Sequence, residues 1–232
     1  LRVVISPKDE QIDPETLTEA YTAEGFMVNS GPFDGTANED GKKAVAQALE
    51  KGGVNCIEVT FDQSSEEKAK DTLAAIRAIK DALGDKVCVG AGTVMSVDQV
   101  HQAVEAGAEY MISPNVNEAV IRETKKLDKV SIPGAMTPTE AAFAYECGAD
   151  IVKLFPAGLL GAAYIKAVKA PLKHIPVTAV GNVNVENCAE FLKAGAVGVG
   201  VGGSLVSSKL VDEGRFDEIT ATAKAYVEAL AR

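Results

Sequence analysis

Tryptophan is absent from the chain, aromatic residues make up 5% of it, and histidine occurs only at His101 and His174. So few imidazoles argue against a His-based catalytic triad and against a His-rich zinc site. Positive charge is in deficit: 23 Lys and Arg stand against 33 Asp and Glu, a net charge of −10. A surface this acidic is a poor match for nucleic acid or an anionic membrane. A small anionic substrate stays compatible with it, because a local cluster of donors is enough to hold one. Long apolar runs are missing too. The least polar stretch, 194–206, is glycine-rich and too short to cross a bilayer, and the first residues carry no signal-peptide pattern. Cys56, Cys88, Cys147 and Cys188 form no CxxC pair, and each lies in or beside an apolar segment. Free, buried thiols in a reducing cytoplasm are the expectation.

What is abundant is Ala, Val, Ile and Gly, a composition suited to helices packed on a parallel sheet. A short pattern recurs four times: Glu50-Lys51-Gly52-Gly53, Glu105-Ala106-Gly107-Ala108, Glu146-Cys147-Gly148-Ala149 and Lys193-Ala194-Gly195-Ala196 each precede an apolar run. Each reads as a helix closed by a glycine cap, then a strand after a very short loop. Further strands are expected at Val87–Gly90, Val130–Pro133 and Ile175–Val180. About seven strands are legible, plus one near the N-terminus, alternating with helices. Eight such units predict an α/β fold of the (β/α)8 TIM-barrel type, in one domain spanning 1–232 with a divergent N-terminal segment 1–38. A doubly wound open sheet is disfavoured because no GxGxxG follows the first strand. Within the N-terminal segment, Arg2-Val3-Val4-Ile5 and Gly25-Phe26-Met27-Val28-Asn29 both compete for the first strand, and Asp13-Pro14-Glu15-Thr16-Leu17 opens a plausible helix.

The run Asp150-Ile151-Val152-Lys153-Leu154-Phe155 is apolar on both faces of a strand, with a lysine in its middle. Burying an ammonium is costly unless it is paired, so the expected state is an amine of lowered pKa, a nucleophile for a carbonyl. Alternation along the strand sends Lys153 inward with Ile151 and Phe155, and Val152 and Leu154 toward the helices. The same reasoning sends Glu58 inward with Cys56 and Thr60, on the second strand, about opposite the sixth in an eight-strand ring.

Six stretches resemble the class I 2-keto-3-deoxy-6-phosphogluconate / 4-hydroxy-2-oxoglutarate aldolase family: Glu58-Val59-Thr60-Phe61, Gly90-Ala91-Gly92-Thr93-Val94, Ile112-Ser113-Pro114, the run from Pro133 to Glu140, Lys153-Leu154-Phe155-Pro156-Ala157, and the run from Gly202 to Val206. The resemblance implies a metal-independent lyase of the same barrel fold, usually a homotrimer, that cleaves a 2-keto-3-deoxy sugar acid, its phosphate ester or a 4-hydroxy-2-oxo acid to pyruvate and an aldehyde. It implies Lys153 as the Schiff-base lysine and Glu58 as the acid/base. It implies Thr93 at the pyruvyl carboxylate, Pro114 and Phe155 as pocket walls, and Gly181, Gly203 and Ser204 at a substrate phosphate. Ser204 also fits a helix N-cap, and Thr137 and Thr139 before Glu140 read as helix-start residues. Asp62 stands where many relatives carry an arginine, and Arg2 is a candidate substitute. Asn182, Val180 and Asn115 also depart from the common pattern. A phosphosugar isomerase or epimerase of the same fold, and a catalytically weak barrel that binds a sugar acid, stay open as other readings.

Overall fold

A computed structural model describes residues 26–31 and 39–231. Eight parallel strands alternate with helices along these residues. The strands are β1 (Phe26–Gly31), β2 (Cys56–Thr60), β3 (Cys88–Gly92), β4 (Tyr110–Ile112), β5 (Val130–Ile132, continued by Gly134–Ala135), β6 (Val152–Leu154), β7 (Val177–Val180) and β8 (Gly198–Val201). The major helices are α1 (Glu39–Lys51), α2 (Glu66–Leu83), α3 (Val97–Glu105), α4 (Glu118–Lys126), α5 (Pro138–Glu146), α6 (Ala157–Leu160), α7 (Ala162–Lys169), α8 (Cys188–Lys193), α9 (Ser208–Asp212) and α10 (Phe216–Leu230). The first strand is therefore the one beginning at Phe26. The alternative at Arg2, the helix opened by Asp13 and the role assigned to Arg2 lie outside the described residues. Among the described residues no helix is long and apolar enough to cross a membrane.

The ring closes at β5. Its first half pairs with β4 and its second half with β6, and these halves are the two edges of the sheet, separated by Pro133 alone. Across that seam Lys153 N donates to Pro133 O (2.9 Å) and Asp150 N to Ser131 O (3.1 Å). Around the circle β1 sits between β8 and β2, in register Val28↔Cys56 and Val28↔Gly200. This order sets β2 opposite β6.

Local chemistry explains where the elements start and stop. Helix α2 opens on Ser65, whose hydroxyl accepts from Lys68 N, with Glu66 and Glu67 in the first turn against the helix dipole. Helix α5 opens on Thr137 with a complete capping box to Glu140, as the helix-start reading expects. The four recurring glycines, Gly53, Gly107, Gly148 and Gly195, have φ of 87°, 102°, 106° and 108°, a left-handed conformation that turns each helix into the next strand with little loop.

Two apolar regions follow from side-chain alternation. Ile57, Val59, Val89, Ala91, Val152 and Leu154 join the helices in one large core outside the barrel. Cys56, Cys88, Tyr110, Ile112, Val130, Ile132 and Ile151 fill the barrel interior. Tyr110 takes the space that Gly90 leaves open, and a methyl group at Gly90 would overlap its ring. None of the four cysteines is in a disulfide, and all are buried.

Candidate active site

Lys153 sits at the centre of β6, in register with Gly134 on one side and Thr178 on the other. It is 8% exposed, and its amine lies 5.0 Å from the centre of the Phe155 ring. Burial pushes its pKa below the ordinary lysine value, and the nearby Glu58 carboxylate opposes the shift without cancelling it. Glu58 is 2% exposed, and its pKa is pushed up to about 7 by burial, against the pull of Lys153 and a hydrogen bond from Thr60. Thr60 Oγ1 donates to Glu58 Oε1 (3.3 Å), while Oε2 has no hydrogen-bond partner among the described residues. Gly92 makes room for this carboxyl: a Cβ there would overlap Oε1. A carboxyl group with a pKa near 7 is half protonated at neutral pH, suited to both giving and taking a proton. The inward placement of Lys153 and Glu58 agrees with the alternation argument.

The two groups share one cavity of about 660 Å³ at the C-terminal ends of the strands. Thr60, Thr93 and Phe155 line it beside them, and Val180, Gly181, Asn182, Gly203 and Ser204 line the side formed by β7 and β8. Pro114 is not among the lining residues; its main chain packs so close to Gly134 that a Cβ there would overlap it. Ser204 Oγ donates to Val183 O (2.8 Å) and accepts from Tyr226 Oη (2.8 Å). Its expected N-cap role falls instead to Ser207, whose side chain accepts from Leu210 N, because α9 starts at Ser208, three residues further on than a cap at Ser204 requires. The N–H groups of Gly203 and Ser204 make no hydrogen bond to described residues, so they are available to an anion. Asp62 pairs with Lys68 (2.7 Å) and accepts from Ser64 N, which holds its carboxyl at about 2. It faces a separate hollow of about 400 Å³ rather than the Lys153 cavity.

Thr93 holds a φ of 55°. A β-branched residue is strained there, at a cost of about 1–3 kcal/mol. Its N–H and hydroxyl have no partner among the described residues. The resemblance did not single out Thr60, Asn184, Gln63 or Gln99. Thr60 could have been found as the next inward position after Glu58. Asn184 lines the cavity from a loop that carries no periodic signal. Gln63 and Gln99 lie 36 positions apart, and only the fold brings them together.

The model of the KDPG and KHG aldolase family matches residues 35–222. A second model, of the leucyl-tRNA synthetase editing domain, matches residues 1–50. The 2-dehydro-3-deoxy-6-phosphogalactonate aldolase of Escherichia coli (strain K12) is 37% identical over 184 residues, covering 79% of this chain and 87% of its own. A KDPG aldolase from Legionella pneumophila, solved with pyruvate captured as a covalent carbinolamine, superposes with a TM-score of 0.78 at 25% identity, covering 91% of this chain and 98% of that one. A designed cage made by fusing symmetric oligomeric domains contains a similar fold, with a TM-score of 0.75 at 33% identity over 88% of this chain and 70% of that one. The chain belongs to the KDPG and KHG aldolase family.

Proposed function

We propose that the chain is a class I aldolase that cleaves 2-keto-3-deoxy-phosphosugar acids to pyruvate and an aldehyde phosphate. The observation that carries this reading is an amine of lowered pKa and a carboxyl of pKa about 7 buried in one cavity of a TIM-like barrel. Lys153 attacks the C2 carbonyl as the free amine, and Glu58 donates the proton with which the carbinolamine hydroxyl leaves as water. Glu58, now a carboxylate, takes the proton of the C4 hydroxyl. The C3–C4 bond breaks, its electron pair passes into the iminium, and the aldehyde departs. Glu58 returns its proton to C3 of the enamine, and water releases pyruvate from Lys153. An isomerase or epimerase of this fold has no need of a buried amine of lowered pKa, so Lys153 favours the aldolase.

In this reading Thr93 receives the pyruvyl carboxylate, Phe155 bounds the keto-acid end, and Gly181, Gly203 and Ser204 receive the phosphate through main-chain N–H groups. The name of the Escherichia coli relative supports a phosphorylated substrate. The reading also takes residues 1–232 as one domain with a divergent segment 1–38, in a cytoplasmic homotrimer. The cage of fused symmetric oligomers supports the assembly. Exposed Met136, Phe143 and Tyr145 supply apolar surface for it. Sedimentation is expected to give three times the mass of 24.2 kDa.

Borohydride added with pyruvate is expected to leave a reduced adduct on Lys153, read by intact mass and peptide mapping. A protein that turns over the substrate yet gains no mass, or gains it on another lysine, removes the reading. Lys153→Met is expected to keep the fold by circular dichroism and to lose both the adduct and turnover.

A further inference from the structure

We propose that Gln63 and Gln99 are positioning residues that hold Thr93 in its left-handed conformation and so present its main-chain N–H and hydroxyl together to the substrate carboxylate. The proposal rests on the aldolase reading of the same cavity and adds to it the device that builds an anion site there from neutral groups. Lys153 is the only cation lining the cavity among the described residues, and in that reading its amine is committed to C2. The donors left to a carboxylate among the described lining residues are neutral.

The two side-chain amides form a relay. Gln63 Nε2 donates to Thr93 O (2.7 Å), Gln99 Nε2 donates to Gln63 Oε1 (3.0 Å), and Met95 N donates to Gln99 Oε1 (2.7 Å). The relay thus grips the loop on both sides of Val94. Val94 itself is fixed from below, its N–H by Ile112 O (3.0 Å) and its carbonyl by Ser113 Oγ (2.7 Å). Asn117 Nδ2 completes the set by donating to Met95 O (3.3 Å). What the loop leaves unbonded is Thr93 N–H and Oγ1, at the cavity wall. A β-branched residue at φ 55° does not stay there unless its surroundings over-determine it. If the relay is cut, Thr93 can relax toward negative φ, which swings the peptide N–H away from the side-chain hydroxyl. Charge-assisted hydrogen bonds to a carboxylate are directional, so the loss falls on carboxylate binding rather than on the amine's chemistry.

The test compares pyruvate with pyruvamide, which offers the same ketone without the negative charge, in borohydride trapping on Lys153. The wild-type enzyme is expected to be half-trapped at a lower concentration of pyruvate than of pyruvamide. Gln63→Ala and Gln99→Ala are expected to raise the half-trapping concentration of pyruvate about tenfold, to leave that of pyruvamide within twofold, and to raise KM more than they lower kcat. Gln99→Glu keeps the acceptor for Met95 N but loses the donor to Gln63, and is expected to show the same pyruvate-selective loss. Thr93→Gly keeps the N–H and needs no clamp to hold a positive φ, so adding Gln63→Ala to it is expected to cost less than twofold. An unchanged pyruvate concentration in the Gln variants, or equal weakening of both ketones, overturns the clamp. A wild-type protein that traps neither ketone fails at the aldolase reading instead.

Discussion

Glu58 and Lys153 carry opposite pH signatures because burial shifts both toward the neutral form. Between the ordinary carboxylate range and about 7, folded Glu58 binds more protons than the unfolded chain does. Its contribution to stability is complete below that range and is lost as pH rises through about 7. Lys153 acts the other way. Its lowered pKa means that the unfolded chain binds more protons below the ordinary lysine value, so stability rises with pH across that window. In catalysis, kcat/KM is expected to show a limb with an apparent pKa near 7 that disappears in Glu58→Gln, whose rate falls by about 10²–10⁴-fold. The same variant is expected to gain thermal stability over wild type at pH 8 but not at pH 5, as read by melting curves. A second residue-scale outcome concerns Gly92. Gly92→Ala puts a methyl group where Glu58 Oε1 lies, so turnover is expected to drop at least tenfold. A normal rate in that variant contradicts the carboxyl position described here.

At the scale of elements, the capping box at the start of α5 gives a clean measure of local stability. Thr137→Ala removes the acceptor for Glu140 N and is expected to cost about 1 kcal/mol in urea unfolding. This helix start was legible because a capping box is a contiguous signal. The inward and outward faces of β2 and β6 were legible for a similar reason, since alternation needs only the strand itself. The relay of Gln63 and Gln99 was not legible. Neither glutamine differs in sequence from any surface glutamine, and they meet only once the fold sets the loop after β2 beside the start of α3. The first strand was ambiguous for another reason. Two short apolar runs competed, and pairing with β2 and β8 decides between them. Ser204 misled because a serine near a helix start is a good cap only at the right position, which Ser207 occupies.

For the molecule as a whole, closure of the ring is what puts an acid on β2 across from an amine on β6. Val28→Pro removes a main-chain donor from a strand bonded on both sides, so it is expected to open the ring between β8 and β2. Loss of the cooperative melting transition, together with loss of borohydride trapping, is the anticipated result. Retained trapping with a normal melt means that the barrel does not depend on β1 for its seal.

Strand β1 merits that experiment because it is bonded on both sides, to β8 and to β2, while Glu58 and Lys153 stand on β2 and β6. A ladder of peptide groups reads direction and spacing rather than side chains. A cask of this kind can take a different stave in that place and keep its contents, provided the new one runs the right way and to the right length.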